Sequence, residues 1–126
     1  MKTNDKKEID IIKRSVMDYY HEGHVKNDPE LYEQILHDEW KLFWLDDNGK
    51  LQIADKKEYL SWYKPEEVDK TLHWETEFFY VDVTENIAAV KLRLECEKVM
   101  YIDYFNMMKI KGTWQIIHKV SHAQHK

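Results

Sequence analysis

The stretch that decides the fold is YIDYFNMMKIKGTWQIIHKV, residues 101–120. Two runs rich in β-branched and aromatic residues flank Lys111-Gly112-Thr113, and a short glycine turn between such runs predicts a β-hairpin. A strand with one face in water alternates apolar and polar residues, but here both alternating sets are largely apolar. We therefore expect both faces of this sheet to be covered and Asp103 to be buried or to face a pocket.

Burying the carboxylate of Asp103 costs free energy unless the group is paired with a charge, hydrogen-bonded or protonated. We therefore expect it to have a structural or functional role. Two interpretations stay open. Asp103 is a polar anchor in a pocket, or it is a structural group that accepts hydrogen bonds from a tyrosine, an indole or a histidine.

Upstream of the hairpin, residues 71–100 have a similar amino-acid composition. Runs rich in strand-forming residues are separated by short polar turns such as Glu85-Asn86. With the hairpin they predict four consecutive strands in an antiparallel meander.

The outer face of the predicted sheet needs a cover. Its apolar residues in the hairpin are Ile102, Tyr104, Met108 and Ile110, too many to face water as one patch. We expect a symmetric homodimer packed sheet to sheet, with the chain's own termini as the alternative cover.

The N-terminal part shows helical periodicity instead. Apolar residues including Val16, Tyr19 and Tyr20 recur at three- and four-residue spacings between Glu8 and about Lys26, which predicts an amphipathic helix.

Three more elements follow this helix. A short helix has Asn27 or Asp28 as its N-cap and Pro29 in its first turn. Next come a strand around residues 39–46, which ends in an Asn-Gly turn, and a third helix capped by Asp55. The predicted fold is α+β, in the order α-α-β-α-β-β-β-β, with the helices on the concave face of a curved antiparallel sheet.

Composition limits the possible partners. The 126 residues fit a single domain, 1–126, with a structured core at about 8–120. The net charge of -5 and the lack of a basic run argue against nucleic acid. The charged N-terminus and the absence of a long apolar run predict no signal peptide and no membrane segment. A lone cysteine, Cys96, fits a cytoplasmic location.

The element order, residues 101–120, and the segments VDVT (81–84) and AAVKL (88–92) resemble the nuclear transport factor 2-like superfamily. The resemblance is strongest to the branch known as putative lumazine-binding or SnoaL-like proteins, and more distant to ketosteroid isomerase. It covers roughly residues 8–120 and implies a cone, in which a curved sheet wraps around the N-terminal helices and a pocket opens at the wide end. The superfamily includes isomerases, dehydratases, cyclases and non-catalytic domains, so the fold decides little about function.

The resemblance to ketosteroid isomerase implies roles for individual residues. Asp103, between Ile102 and Tyr104, falls on the position of that enzyme's protonated pocket aspartate, and Tyr20, eight residues before Asp28, falls on its oxyanion-binding tyrosine. The general base position carries Trp44, whose indole cannot accept the proton. Whether the chain is an enzyme therefore stays open.

Two other residues are candidates for the base. Asp46 lies on the same strand phase as Trp44, and His118 shares a phase with Trp114, Ile116 and Val120. The alternative for Asp46 is a turn residue before the Asn-Gly pair, and for His118 a hydrogen-bonded core or interface histidine.

The sequence predicts a ligand rather than a metal or cofactor. His21 and His24 could lie side by side on the first helix, but no third metal ligand matches their spacing. A group of aromatic residues either lines a pocket for a flat, apolar or aromatic molecule or forms a solid core: Trp40, Trp44, Tyr59, Trp62, Trp74 and Phe105. We predict a small-molecule-binding protein, possible chemistries being cofactor-free isomerisation, dehydration or cyclisation of a carbonyl compound. The alternative is a non-catalytic ligand carrier or dimerisation domain.

Overall fold

The computed structural model describes residues 3–126, with side chains from Asp5 onward. A long helix, α1, comes first and is built from three consecutive helical segments, Thr3–Ser15, Val16–His21 and Glu22–Val25. The middle segment is a π-helix. The predicted amphipathic helix is thus present, although Tyr19, expected on its buried side, is 36% exposed.

Two short helices follow, and both begin where the sequence predicts. Helix α2 is Pro29–Glu33, and the side chain of its N-cap, Asp28, accepts a hydrogen bond from the amide of Glu30. Helix α3 is Lys56–Ser61, and its cap Asp55 accepts one from the amide of Glu58. Each cap satisfies an amide that has no partner within its helix. A single 3₁₀ turn, Pro65–Glu67, comes after α3.

Within residues 3–126, six strands form one sheet in the order β2-β1-β6-β5-β4-β3. Their bounds are β1 Leu36–Leu45, β2 Leu51–Asp55, β3 Glu75–Thr84, β4 Ile87–Glu95, β5 Val99–Ile110 and β6 Thr113–His125. Strands β3 to β6 form the predicted antiparallel meander. Strand β1 lies parallel to β6, a pairing that the local sequence does not predict.

Strand β2 is absent from the predicted order, in which a turn leads directly to the third helix. It pairs with β1 and lies at the sheet edge. Its large apolar side chains, Leu51 and Ile53, lie on the exposed side and are 55% and 51% exposed, which is the reverse of the pattern by which a half-buried strand is recognised.

The concave face of the curved sheet packs against α1, α2 and α3. The buried cluster joins Ile12, Val16 and Tyr20 of α1 to alternate residues of the sheet, such as Leu92 and Met107. The fold is thus the α+β cone that the sequence predicts. No helix in the described part of the chain is long and apolar enough to cross a membrane.

Candidate functional site

Tyr20 and Asp103, the predicted polar anchors, lie in direct contact inside the cone. The Tyr20 hydroxyl donates a hydrogen bond to Oδ2 of Asp103 at 2.5 Å. The two residues are 0% and 1% exposed. The prediction that Asp103 is buried is confirmed, and its contacts satisfy it as a buried carboxylate requires.

An irregular segment of α1 carries Tyr20, and the pairing of β5 with β6 positions Asp103. Tyr20 belongs to the π-helical segment of α1, and such segments occur often at functional sites. Asp103 lies on the concave side of β5, directly opposite Ser121 of β6. The Ser121 hydroxyl donates to Oδ1 of Asp103 at 2.6 Å, so both carboxylate oxygens accept hydrogen bonds.

Lys119 is the main residue that the sequence did not reveal. The pairing of β5 with β6 shifts between Asn106 and Met107, which leaves Ile117 as an extra residue in β6. Such a β-bulge reverses the side of the sheet to which the following residues point. Lys119 therefore lies on the concave side, where it is 5% exposed. Strict alternation would have placed it in solvent.

The Lys119 amine joins the polar pair to a second tyrosine. Its Nζ atom donates to the Tyr20 hydroxyl at 2.7 Å and to the Tyr59 hydroxyl at 3.3 Å. The same atom lies 4.9 to 5.9 Å from the ring centroids of Tyr59, Tyr20 and Trp40. Aromatic faces at this distance attract a cation. Its contact with Asp103 is longer, 3.9 Å to Oδ2.

Burial shifts the pKa values in this network in opposite directions. Burial lowers the pKa of the Lys119 ammonium, and the charge of Asp103 acts against this shift. Burial, together with the nearby Asp103, raises the pKa of Tyr20 well above its ordinary value. Both shifts have the same physical cause, since a dry site disfavours the charged form of each group.

Asp103 acts as a hydrogen-bond acceptor in this network rather than as a donor. The resemblance to the isomerase implies a protonated aspartate that donates to a ligand, whereas here both oxygens accept, from Tyr20 and Ser121. With Lys119 3.9 Å away, these contacts favour a carboxylate over a carboxylic acid. Tyr20 then bridges an amine and a carboxylate.

Next to this network lies a cluster of phenols and an imidazole. Tyr63 donates to the Tyr59 hydroxyl at 2.8 Å, and Nδ1 of His24 lies 2.9 Å from the Tyr32 hydroxyl. Burial, and secondarily the positive charge of Lys119, lowers the pKa of His24 to about 3. His24 is therefore a neutral hydrogen-bonding group at neutral pH.

Trp40 carries a buried donor without a partner. The residue is 0% exposed, and no described residue accepts a hydrogen bond from its indole Nε1 atom. Its ring lies 4.7 Å from that of Tyr59. A buried unpaired donor costs roughly 1–3 kcal/mol, so this indole is suited to an acceptor that the protein itself does not supply.

The remaining predicted aromatic residues lie at different depths. Phe105 is buried 5.4 Å from the Tyr20 ring, and Trp74 lies 4.4 Å from the imidazole of His24. Trp44 is half-buried against the 45%-exposed Trp62, with their ring centroids 6.0 Å apart. Most of these rings therefore form the packed interior, and Trp62 lies at its rim.

The two candidates for the base lie away from the Tyr20–Asp103 pair. Asp46 closes the turn between β1 and β2, where its side chain accepts from the amides of Asn48 and Lys50. His118 does not share the phase of Trp114 and Ile116, because the bulge turns it to the outer face. There its Nε2 atom lies 3.1 Å from Nδ2 of Asn106.

The structure also shows the partners of the helix α1 histidines. His21 contacts the Thr76 hydroxyl at 2.7 Å and His24 contacts Tyr32. Within the described residues, no group of three or more His, Cys, Asp or Glu side chains could hold a metal ion.

Two surface hollows lie outside the cone interior. One, of about 660 Å³, follows the exposed side of α1 from Lys6 to Tyr19. The other, of about 470 Å³, lies on the outer sheet face and includes His118, Asn106 and Met108. Neither includes Tyr20, Lys119 or Asp103.

With this geometry established, comparison with known proteins gives the family. Residues 7–122 match the protein family described as "Putative lumazine-binding". The chain belongs to this family. No protein with a curated description matches it.

Solved structures with the same fold have low sequence identity to this member. An NTF2-like protein of unknown function from Shewanella baltica is 19% identical with a TM-score of 0.79, over 98% of each chain. One from Silicibacter pomeroyi is 16% identical with a TM-score of 0.81, over 98% of this chain and 100% of that one. A ketosteroid isomerase-like protein from Erwinia carotovora atroseptica is 16% identical with a TM-score of 0.67, over 90% and 94%. These similarities establish the NTF2-like fold.

Proposed function

We propose that this protein binds a small apolar or aromatic molecule inside the cone, and that the bound molecule presents an oxygen acceptor to Trp40 and the neighbouring polar network. The observation that carries the proposal is the unpaired indole of Trp40 in a 0%-exposed position. Buried donors are almost always paired in folded proteins. A ligand oxygen would complete the arrangement.

The surroundings of Trp40 support this choice of ligand. Tyr59 beside Trp40, and Phe105 beside Tyr20, offer ring surfaces, which suit flat apolar molecules. The amine of Lys119 would donate a hydrogen bond to a carbonyl or phenol oxygen in a dry environment, where such hydrogen bonds are strong. Entry requires some of the packed rings to turn aside.

The same donors would stabilise an oxyanion, which is what ketosteroid isomerase-like or SnoaL-like chemistry on a carbonyl compound requires. Trp44, however, occupies the position where the isomerase has its base, and neither Asp46 nor His118 lies beside Asp103. Binding is therefore the activity that we propose, and turnover would need a base from another group.

A pair of probes with the same shape tests the binding. We expect the protein to bind 2-naphthol about fivefold more tightly than 2-methylnaphthalene in calorimetry, because only naphthol has an oxygen to pair with buried donors and such a bond contributes about 1 kcal/mol. Trp40→Phe should remove most of this preference.

The matched control is Trp114→Phe. Trp114 is also a buried tryptophan, but its indole already donates to Glu8, so the preference for naphthol should persist in this variant. Equal affinity of the unmodified protein for both probes, or no binding of either, would contradict the proposed function.

A second proposal concerns the outer sheet face, which we propose as the contact between two copies of this chain. Paired residues form a row across all six strands, in the order Ile53, Phe43, Val120, Tyr104, Lys91 and Tyr80. Four of these residues are apolar or aromatic and at least 44% exposed. An exposed and largely apolar row of this kind suits a self-complementary interface, in which each residue occurs twice.

The oligomeric state tests the second proposal. We expect a dimer in sedimentation equilibrium, and we expect Tyr104→Lys to weaken it about a hundredfold, because Tyr104 lies near the centre of the row. Ile11→Lys, at a similarly exposed apolar residue of α1, should leave the dimer intact. A monomeric unmodified protein, or equal effects of both substitutions, would refute the interface.

A further inference from the structure

The amine of Lys119 is placed differently from an ordinary structural lysine. It is buried inside the cone, and its two hydrogen-bond partners are the phenol oxygens of Tyr20 and Tyr59. The Asp103 carboxylate lies beyond hydrogen-bond distance, at 3.9 Å. Phenols and ring faces stabilise an ammonium less than a hydrogen-bonded carboxylate does.

Tyr20 connects Lys119 to Asp103 so that a proton can pass between them. The Tyr20 hydroxyl accepts from Nζ of Lys119 at 2.7 Å and donates to Oδ2 of Asp103 at 2.5 Å. An ammonium with a carboxylate and a neutral amine with a carboxylic acid contain the same number of protons and have the same net charge. Proton transfer through Tyr20 interconverts these forms. The hydrogen bonds that Asp103 accepts favour the charged form, and the neutral form is the one that supplies a nucleophilic amine.

We infer that Lys119 is a nucleophile that condenses with an aldehyde or ketone to form an imine. The inference deepens the proposed function, on which it rests, by naming the substrate class as carbonyl compounds. A lysine that is desolvated in a ring-lined site, as Lys119 is, has the environment of known amine nucleophiles. The rings of Trp40 and Tyr59 would also limit attack of water on the imine.

The step is balanced by groups already in contact. The neutral Lys119 amine attacks the carbonyl carbon, and the new C–N bond gives a carbinolamine. The C–O bond then breaks, and the oxygen leaves as water after taking the Asp103 proton through Tyr20. The products are a protonated imine, an Asp103 carboxylate and one water molecule, with no oxidant or reductant consumed.

Reductive trapping tests the inference on the full chain. We would incubate the protein with benzaldehyde and sodium cyanoborohydride at about neutral pH and locate the benzylated lysines by peptide mass spectrometry. Lys119 should be modified before Lys56, a second buried lysine whose Nζ lies 2.8 Å from a Glu33 carboxylate oxygen. If Lys119 stays unmodified while exposed lysines react, the inference is wrong.

Two variants separate chemistry from folding. Asp103→Asn keeps the shape but lacks the acid that releases water, so trapping at Lys119 should slow by about a hundredfold, a usual size for loss of general acid catalysis. Circular dichroism would confirm that the variant is folded. Unchanged trapping in a folded Asp103→Asn protein would refute the role of Asp103 in the step.

Lys119→Arg keeps a positive charge but removes the nucleophile, so trapping inside the cone should disappear, whereas Lys56→Arg should leave Lys119 reactive. Because 2-naphthol has no carbonyl group, its binding is independent of imine formation. Tight 2-naphthol binding without a Lys119 adduct would overturn this inference alone. Absence of both would overturn the proposed function as well.

Discussion

Lys56 and Lys119 are both buried, at 8% and 5% exposure, yet their ammonium groups have different surroundings. Lys56 Nζ bonds to carboxylate oxygens of Glu33 and Asp38 at 2.8 and 3.1 Å, and the side chains of those acids are 52% and 91% exposed. Lys119 bonds to phenols inside the cone, and its nearest acid, Asp103, is itself buried.

The difference shows that the exposed area of a residue does not describe the environment of its charge. Lys56 is buried as a residue, but its ammonium group reaches two acids whose side chains are in contact with water, as long basic side chains often do. Lys119 has its amine in the dry interior, where a charge is costly and where partners decide its protonation. Lys119 is thus the lysine with the potential for chemistry.

The largest expected effect comes from removing the acid partner of each lysine. Asp103→Ala leaves Lys119 buried without a carboxylate and should lower the free energy of unfolding by about 3–5 kcal/mol. Glu33→Ala leaves Lys56 with Asp38 and water, and should change it by less than about 1 kcal/mol. Urea denaturation of both variants at the same pH measures the two values, and similar losses would remove the distinction between the lysines.

A smaller effect should appear in the pH dependence of stability. Burial lowers the pKa of Lys119 below its ordinary value of 10.5, so between its folded and unfolded pKa values the unfolded chain binds more protons. Stability from this group therefore rises with pH in that window. The unfolding free energy of the protein relative to Lys119→Met should increase as the pH rises through this window up to about 9, below the ordinary tyrosine pKa.

Lys56→Met serves as the control for this measurement. The stability difference between the unmodified protein and Lys56→Met should not grow with pH. If it grows as much as the difference between the unmodified protein and Lys119→Met, the rise does not come from Lys119. The series should stop below the pH at which tyrosines ionise in the unfolded chain, because Tyr20 has a raised pKa and would contribute with the opposite sign.

The smallest expected effect is at His24. Its pKa of about 3 is lowered first by burial and then by the positive charge of Lys119. Lys119→Met should therefore raise the pKa of His24, whereas Lys56→Met should leave it unchanged, as followed by NMR of the imidazole. An unchanged pKa in Lys119→Met would show that His24 does not sense this charge.

The depressed pKa of His24 also fixes the sign of its effect on stability. Between pH 6.5 and 3, His24 is protonated in the unfolded chain but neutral in the folded protein. Stability is therefore lost as the pH falls from 6.5 toward 3. His24→Gln should lose less stability over this interval than the unmodified protein in urea denaturation. An equal loss would assign the acid sensitivity to other groups.

Local sequence rules predicted the features that depend on neighbouring residues. Lys111 and Gly112 form the two-residue turn of the last hairpin, with φ of 51° and 83°, as a type I′ turn requires. Asp28 and Asp55 cap their helices, because a carboxylate there pairs an amide within three residues. The burial of Asp103 followed from the apolar phase of its own strand.

Long-range pairing decided the rest of the site. The extra residue at Ile117 appears only in the register of β5 with β6, and it exchanges the sides of His118 and Lys119. No local signal marks it, since Ile117 is as suitable for a regular strand as for a bulge. A lysine between His118 and Val120 therefore looked like a solvent-facing residue.

The sequence by itself determined the order of most helices and strands, the caps and turns between them, and the position of a carboxylate on a buried phase. These properties follow from contacts over a few residues. Only the tertiary structure decided that Tyr20, Asp103 and Lys119 meet and that the indole of Trp40 is left without a partner. Residues separated by 83 and 99 positions form those contacts, and their geometry depends on the curvature and register of the whole sheet.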